Sequence, residues 1–286
     1  GAFKITEGFV EKFGKKRVRN TPLCEAAIVG SGLGLSINGY KSMVEMQFAD
    51  FVTEGFNQII NNLAKTHYRW NQNADVVVRM PTGAGTGAGP FHSQSNEAWF
   101  TKTPGLKIAY PAFPDDAKGL LIQSFEDPNP VLFFEHKKLY RSLKGNVPEG
   151  FYTTPFGKAR KVKEGNELTI ITYGLGVHIA LEFAEKNPEI SLEIVDLRTL
   201  IPLDTETIYE SVKKCNKVII LHEDTLTCGF GAELSALISE HCFEDLDAPI
   251  LRVASMDTPI PFNKKLEDQF MPNEELAEAV DKILKY

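Results

Sequence analysis

The chain has 286 residues, with 31 basic and 38 acidic side chains and a formal net charge of −7 at pH 7. This excess of acidic residues argues against a nucleic-acid-binding protein, which needs a basic surface. Hydrophobic residues make up 43% of the chain, yet no apolar run is long enough to span a bilayer. The composition is typical of a soluble globular protein, and the length fits two domains of ordinary size.

The four cysteines, Cys24, Cys215, Cys228 and Cys242, form no C-x-x-C pair, which argues against a zinc knuckle and a thioredoxin motif. We expect four reduced thiols and therefore a reducing compartment. The opening residues GAFKITEGF lack the apolar core that a secretory signal needs. These observations predict a protein of the bacterial cytoplasm or the mitochondrial matrix, with the cytoplasm favoured.

Short β-rich runs alternate with stretches of helical character in the first half of the chain. The predicted strands there are Val44–Gln47, Asp75–Met80, Leu106–Tyr110 and Val131–Glu135. The predicted helices are Phe51–Arg69, Ser95–Thr101 and Asp115–Phe125. This alternation predicts a mainly parallel sheet that is covered by helices on both faces.

The second half repeats the same alternation. Its predicted strands are Leu168–Tyr173, Leu192–Leu197, Val218–His222 and Ile250–Ala254. Its predicted helices are Gly176–Lys186, Asp204–Lys214, Gly231–His241 and Glu274–Leu284. At the start of the second of these helices, Asp204 is of the residue type that caps free backbone N–H groups.

Residues 142–155 separate the two halves and contain two glycines and two prolines without apolar periodicity, a composition typical of an interdomain linker. We therefore predict an α/β fold of two domains with mainly parallel sheets. The first domain covers residues 1–141 and the second covers residues 156–286.

Two glycine clusters invite a nucleotide-binding interpretation, which their spacing does not support. Gly30, Gly32 and Gly34 are followed by Leu35, so the third glycine of a dinucleotide fingerprint is absent. The run PTGAGTGAGP lacks the Lys-Ser/Thr of a phosphate-binding loop. This second cluster is either a loop shaped around another group or a flexible surface loop. Hydrolase and zinc-protease signatures, G-x-S-x-G and H-E-x-x-H, do not occur either.

Several stretches resemble the β subunit of the E1 component of 2-oxo acid dehydrogenases, which depends on thiamine diphosphate. They follow the family order along essentially the whole chain and are TPLCEAAIVGSGLGLSINGYKSMVEMQFADF, FNQIINNLAK, GPFHSQSNEAWF, PGLKIAYP, DAKGLL, EDPNPVLFFE, VDLRTLIPLD and HEDTLTCGFGAEL. The pieces QFADF, HSQS and HEDTLTCGF are more similar to the branched-chain member than to the pyruvate member.

The resemblance implies a pyrimidine-binding domain of the thiamine-enzyme type followed by a transketolase C-terminal-like domain. Typical β subunits have several dozen residues before the equivalent of GAFKITEGF, and these supply the first strand and helix. We therefore expect a pyrimidine-binding domain that is truncated at its N-terminus. An unpaired sheet edge would then make the isolated chain prone to aggregation.

The resemblance assigns Glu25 and His92 as catalytic residues. It places Leu23, Glu25, Gln47 and Phe51 against the aminopyrimidine ring, with the Glu25 carboxylate at N1′ and Phe51 on the ring face. His92 would donate a proton to the oxygen that develops charge on the substrate. Without the resemblance, Glu25 is an ordinary charge in a first helical turn, Phe51 is a core aromatic and His92 is a structural histidine.

A potassium site is implied at the turn SFEDPNP. Its ligands would be Ser124, Asp127 and Asn129 with the backbone carbonyls near Val76 and Val77, since a hard cation prefers oxygen. An ordinary Asp-Pro-Asn turn explains the same residues equally well.

The chain lacks the G-D-G…Asn motif that binds diphosphate and Mg²⁺ in this family. The resemblance therefore implies an E1 α subunit that holds most of the Mg²⁺ site, an α2β2 assembly, and an E2 dihydrolipoyl acyltransferase as partner. Gly30 and Gly34, at i and i+4, would let a helix approach a second β subunit closely. The alternatives are a pyruvate, acetoin or transketolase-type enzyme, and a non-catalytic assembly fragment.

Overall fold

The first half of the chain alternates helices and strands, as expected, in a computed structural model that describes residues 3–286. The elements are α1 (Phe9–Phe13), α2 (Glu25–Ile37), β1 (Ser42–Glu45), α3 (Val52–Asn57), α4 (Ala64–Trp70), β2 (Val76–Thr82), α5 (Ala98–Thr101), β3 (Lys107–Ala109), α6 (Pro114–Glu126), β4 (Val131–His136) and α7 (Leu139–Ser142). The predicted helix Phe51–Arg69 is continuously helical, but a π-helical segment, Gln58–Leu63, joins α3 to α4.

The second half contains β5 (Arg160–Lys163), β6 (Leu168–Thr172), α8 (Leu175–Lys186), β7 (Leu192–Asp196), β8 (Thr199–Ile201), α9 (Thr205–Cys215), β9 (Val218–Thr225), α10 (Phe230–Cys242), β10 (Leu251–Ser255), α11 (Lys264–Phe270) and α12 (Asn273–Ile283). The capping prediction at α9 is confirmed, because the Asp204 carboxylate accepts a hydrogen bond from the backbone N–H of Thr207 at 3.2 Å. None of the helices within residues 3–286 is long and apolar enough to cross a membrane.

The strands of residues 3–286 form two five-stranded sheets, with the orders β1-β2-β4-β3-β8 and β10-β9-β6-β7-β5. All neighbouring strands run parallel except β8, which is antiparallel to β3, and β5, which is antiparallel to β7. Every residue of β2, β6 and β7 is buried, because helices cover both faces of each sheet. The predicted α/β class with mainly parallel sheets is confirmed.

Strand β8 follows β7 of the second sheet in sequence, yet it pairs with β3 of the first sheet. The backbone N–H of Tyr110 also donates to the carbonyl of Arg198 at 2.8 Å. Three residues are too few to give a periodic signal, and the sequence did not predict this strand. The exchanged strand ties the two halves of the chain together by backbone hydrogen bonds.

Helix α2 packs on the first sheet through a glycine. A Cβ added at Gly32 would lie 3.1 Å from a methyl group of Val44 and 3.1 Å from one of Val76. Gly34, in contrast, has no other atom within 4 Å of its virtual Cβ in the described chain. Close packing on the sheet therefore stabilises a glycine-rich helix that intrinsic propensity disfavours.

The carboxyl ends of the two sheets meet. Tyr110 follows β3 and Tyr173 follows β6, and their ring centroids lie 5.4 Å apart. Tyr110 also stacks on Phe134 of β4 at 5.7 Å. Ligand sites of parallel α/β sheets form where strands end, so this junction is where a site is expected.

Candidate active site

The first turn of α2 carries Glu25, which is partly buried and directly follows the exposed Cys24. Gly55 of α3 lies beside it, because an added Cβ there would be 3.4 Å from the Glu25 carbonyl oxygen. Phe51 precedes Gly55 by one helical turn and so lies on the same side of this helical segment. Gly55 thus allows the segment that begins with Phe51 to pack against the start of α2.

Phe51 and His92, both predicted site residues, are in contact. Their ring centroids lie 5.5 Å apart with an interplanar angle of 78°. Phe48 contacts the same histidine at 5.3 Å and 77°. These edge-to-face contacts fix the orientation of the imidazole while leaving His92 partly accessible.

His92 belongs to a segment, residues 83–95, that we call the His92 loop. Gly83 and Gly89, with φ of +93° and +71°, are buried within it. A Cβ on Gly83 would lie 2.0 Å from the ring of His136, and one on Gly89 would lie 2.3 Å from the ring of Phe262. The glycine-rich sequence therefore folds as a packed loop against both halves of the chain, whereas a flexible surface loop would be exposed.

A buried contact between Glu223 and His136 supports the start of the His92 loop. The Glu223 carboxylate accepts a hydrogen bond from the backbone N–H of Ala84 at 2.5 Å and contacts Nε2 of His136 at 2.5 Å. Burial alone would raise the pKa of Glu223, but the charge and hydrogen bond of His136 outweigh burial and hold that pKa below its ordinary value. Glu223 is therefore an anion inside the junction between the two halves.

Lys137 and Asp50 support the other end of the loop, and the sequence predicted neither. Lys137 Nζ donates to the His92 carbonyl at 2.6 Å, and Asp50 accepts from the backbone N–H of Gln94 at 2.9 Å. Burial lowers the pKa of Lys137 to about 8, although the nearby carboxylates of Asp50 and Glu223 favour its charged form. The Asp50 contact connects the QFADF and HSQS stretches in space, and the Lys137 contact connects HSQS to the end of β4.

Gln47, predicted to lie beside the pyrimidine ring, is tied to a buried ionic network. Its amide donates to the Glu45 carboxylate at 3.2 Å. Arg79, 3% exposed, bridges Glu45 and Glu135 with N–O distances of 2.6 Å to each. Tyr140 donates to Glu135 at 2.6 Å. The network joins β1, β2 and β4 next to Gln47.

Leu23 is 88% exposed, so the chain itself does not cover this predicted ring contact. An aminopyrimidine needs an aromatic face, an acidic partner and apolar neighbours. Phe51, Glu25 and Leu23 are residues of these three types, and the packing of α3 on α2 brings their segments together. The residues therefore fit the pyrimidine half of thiamine diphosphate in chemical type.

The Mg²⁺ ion that would accompany the diphosphate needs several oxygen ligands close together. Within residues 3–286, no group of three or more His, Cys, Asp or Glu side chains is placed to hold a metal ion. The residues of this chain therefore do not fit a Mg²⁺ site by themselves.

The side chains at the predicted potassium turn already have partners. Asp127 accepts from Asn129 Nδ2 at 2.8 Å and from Lys107 Nζ, and Ser124 donates to the Leu120 carbonyl at 2.7 Å. Burial alone would raise the pKa of Asp127, but hydrogen bonds from Lys107 and Asn129 hold it below the ordinary value. The carboxylate is thus neutralised by a lysine of the chain.

The same turn lies against the start of β2. The backbone N–H of Ala74 donates to the Pro128 carbonyl at 3.3 Å, and Val77 pairs with Val131 in the sheet register. Val76 precedes Val77 in the same strand. The structure therefore brings the five predicted residues to one end of the sheet.

A second acidic group, which the sequence did not predict, lies next to the His92 loop. Glu97 is buried and accepts a hydrogen bond from the Tyr173 hydroxyl at 2.9 Å. Burial, with the nearby charge of Asp224, raises the pKa of Glu97 to about 8. Asp224 also lines a cavity of about 250 Å³, to which both halves of the chain contribute, among others through Ser93, Trp99 and Phe270.

Replacing Glu97 by glutamine should remove a pH-dependent loss of stability. The folded chain keeps a proton on Glu97 that the unfolded chain releases between about pH 4.5 and about pH 8, so wild-type stability falls as the pH rises through this range. The free energy of unfolding of Glu97→Gln, measured by urea denaturation, should therefore improve relative to wild type from pH 4.5 to pH 8. The exposed Glu185→Gln is the control. A constant difference across this range would contradict the prediction.

Comparison with known proteins agrees with the observed α/β fold. The family model for the transketolase pyrimidine-binding domain matches residues 1–142, and that for the transketolase C-terminal domain matches residues 157–276. A solved structure described as a split gene transketolase, in an inactive β4 tetramer, aligns with a TM-score of 0.78 at 23% identity. The alignment covers 99% of this chain and 88% of the transketolase chain, which shows that the two share a fold.

Among proteins with this fold, the chain is similar in sequence to β subunits of 2-oxo acid dehydrogenases. The 2-oxoisovalerate dehydrogenase subunit beta of Bacillus subtilis is 49% identical over 284 residues, which cover 98% of this chain and 87% of that protein. The pyruvate dehydrogenase E1 component subunit beta of Rickettsia felis is 40% identical over 291 residues, or 100% of this chain and 89% of that protein. The chain therefore belongs to the family of E1 β subunits of thiamine-diphosphate-dependent 2-oxo acid dehydrogenases.

Proposed function

We propose that this chain is the β half of a branched-chain 2-oxo acid dehydrogenase E1, which decarboxylates its substrate oxidatively and acylates the lipoyl group of E2. The observation that carries the proposal is the contact of Phe51 with His92 beside the helix that starts at Glu25. The 49% identity to a 2-oxoisovalerate dehydrogenase subunit supports the branched-chain substrate. The 40% identity to a pyruvate dehydrogenase subunit makes pyruvate the second candidate.

Glu25 is proposed to hold a proton at N1′ of the aminopyrimidine, because the first turn of α2 places a carboxylate beside the segment that carries Phe51. Phe51 would pack against the ring face, and Leu23 and Gln47 would border it. His92 would donate a proton to the substrate oxygen, since its imidazole is held edge-on by two aromatic rings and stays partly accessible. Thiamine diphosphate, when bound, supplies the carbanion that attacks the 2-oxo acid.

The exposed Leu23 and the lack of a metal-binding group within residues 3–286 support a site that is completed by an α subunit. That subunit would supply most of the Mg²⁺ ligands. The open face at Gly34 supports contact with a second β subunit, as expected for α2β2. Lipoyl acylation requires E2 as a further partner.

The four cysteines are free thiols, which supports the cytoplasm or the mitochondrial matrix as location.

Potassium is proposed at the turn after α6, held by Ser124, Asp127 and Asn129 with the backbone carbonyls near Val76 and Val77. The Asp127 carboxylate would contribute less than the resemblance implies, because Lys107 already pairs with it.

We propose residues 1–141 and 156–286 as the two domains, since residues 143–159 contain no helix or strand.

Calorimetric titration of thiamine diphosphate with Mg²⁺ tests the split site. We expect tight binding to the complex with the cognate α subunit and none to the isolated chain, because the chain supplies groups for the pyrimidine half alone. Size-exclusion chromatography should first verify the complex. Equally tight binding to the isolated chain would contradict the split site, and no binding to a verified complex would favour a non-catalytic assembly fragment.

A substrate panel on the same complex separates the reactions. The proposal predicts the highest kcat/KM with branched-chain 2-oxo acids, lower values with pyruvate, and none with acetoin or sugar phosphates. A preference for any of the last three substrates would replace the branched-chain assignment by that alternative.

A further inference from the structure

Glu267 of α11 is buried at 2% exposure although it is a carboxylate. One of its oxygens accepts a hydrogen bond from the backbone N–H of Gly85 at 2.8 Å, and the two oxygens accept from the N–H of Gly87 at 3.1 and 3.0 Å. The charge of Glu267 therefore lies directly against backbone N–H dipoles of the His92 loop, about 180 residues away in sequence. Burial of a carboxylate requires compensation of this kind.

The glycines explain why the loop can bind a carboxylate. Gly85 and Gly87 have φ of +80° and +70°, which glycine adopts without strain, and their N–H groups converge on the same carboxylate. A side chain at Gly85 would also meet Lys138, whose Cδ would lie 2.9 Å from an added Cβ. The PTGAGTGAGP sequence is thus an anion-binding loop whose anion is a side chain of the same chain.

The segment bound by Glu267 leads into His92 five residues later. At the far side, Lys137 holds the His92 carbonyl, and the Thr82 hydroxyl donates to the Gln94 carbonyl at 2.7 Å. These two contacts come from the first half of the chain. Glu267 therefore adds a second carboxylate from the C-terminal half, beside Glu223 at Ala84, and it binds the part of the loop that leads to His92.

We propose that Glu267 is a positioning residue for His92, so that the C-terminal half of the chain sets the place of the imidazole relative to Phe51 and the substrate. This inference rests on the catalytic role proposed for His92. Without its acceptor, the converging N–H groups of Gly85 and Gly87 lose their partner inside the protein and the loop relaxes. A shift of about 1 Å in a catalytic group can cost up to about 100-fold in rate.

The test compares Glu267→Ala, Glu267→Gln and the neighbouring Asp268→Asn in the complex with the α subunit. Asp268 pairs with Lys264 on the exposed side of α11, which makes it a matched control. We expect a decrease in kcat of about 10- to 100-fold for the alanine variant with KM nearly unchanged. The glutamine variant should recover part of the loss, since its amide oxygen still accepts. Asp268→Asn should match wild type.

Amide hydrogen exchange in residues 83–92 gives a readout that does not depend on turnover. Exchange should accelerate in Glu267→Ala relative to Asp268→Asn, while the strands β2 and β9 remain protected. Unchanged exchange in this loop would overturn the inference. If the alanine variant fails to assemble, the same exchange measurement on Glu267→Gln decides, and wild-type protection with wild-type kcat there would overturn it.

A double-mutant cycle with His92→Ala shows whether Glu267 acts through the histidine. The double variant should be about as slow as His92→Ala alone, because a displaced loop cannot harm an absent imidazole. Multiplicative losses would overturn the positioning role. Wild-type turnover by His92→Ala would instead refute the proposed catalytic role of His92, and faster loop exchange in Glu267→Ala would still identify the structural contact.

Discussion

Replacing Glu25 by glutamine should lower kcat of the assembled α–β enzyme by about 100- to 10,000-fold, the usual contribution of a positioned acid–base group. Glutamine keeps the length of the side chain and an acceptor oxygen but cannot hold the proton at N1′. Glu25 is partly buried in the first turn of α2, and glutamine has nearly the same size and shape. The substitution should therefore change the folded structure very little.

Single-turnover kinetics on a complex of verified stoichiometry measure this effect. Glu233 of α10 offers a matched control, because it is also an acidic residue in a first helical turn but is exposed. Glu233→Gln should retain wild-type kcat. Normal turnover by Glu25→Gln would remove Glu25 from the reaction and with it the proposed arrangement of the pyrimidine site.

Arg79→Leu should lower the free energy of unfolding by about 3–5 kcal/mol, the range expected when one partner of a buried ion network is removed. Glu45 and Glu135 would each lose their only arginine partner among the described residues, while their side chains stay 21% and 15% exposed. Tyr140 compensates Glu135 in part through its hydroxyl. Gln47 should become less ordered, since its acceptor Glu45 is no longer fixed.

Urea denaturation of the chain at neutral pH measures the loss. Arg141→Leu on α7 is the matched control, because Arg141 is exposed, and it should change stability by less than about 0.5 kcal/mol. Changing Glu135 to glutamine in the Arg79→Leu background should recover part of the stability, since one unpaired charge disappears. A loss below about 1 kcal/mol for Arg79→Leu would show that solvent reaches these carboxylates.

Local patterns determined much of the fold. Continuous apolar runs such as VVVRM and TIITY become β2 and β6, and the Asp204 cap starts α9, because strand burial and helix capping depend on neighbouring residues. The resemblance likewise identified Phe51 and His92, which the fold brings into contact.

Contacts between distant segments were decided by the tertiary structure alone. The pairing of β8 with β3, and the binding of the His92 loop by Glu223 and Glu267, join residues separated by about 90 to 180 positions. The glycines of the loop allowed positive φ and close backbone approach but gave no indication of the group that the loop surrounds. A buried carboxylate has the same local sequence signal as an exposed one, because its partner becomes a neighbour when the two sheets meet. The sequence by itself therefore determined the longer elements and the family, while tertiary packing decided which charged groups hold His92 in place.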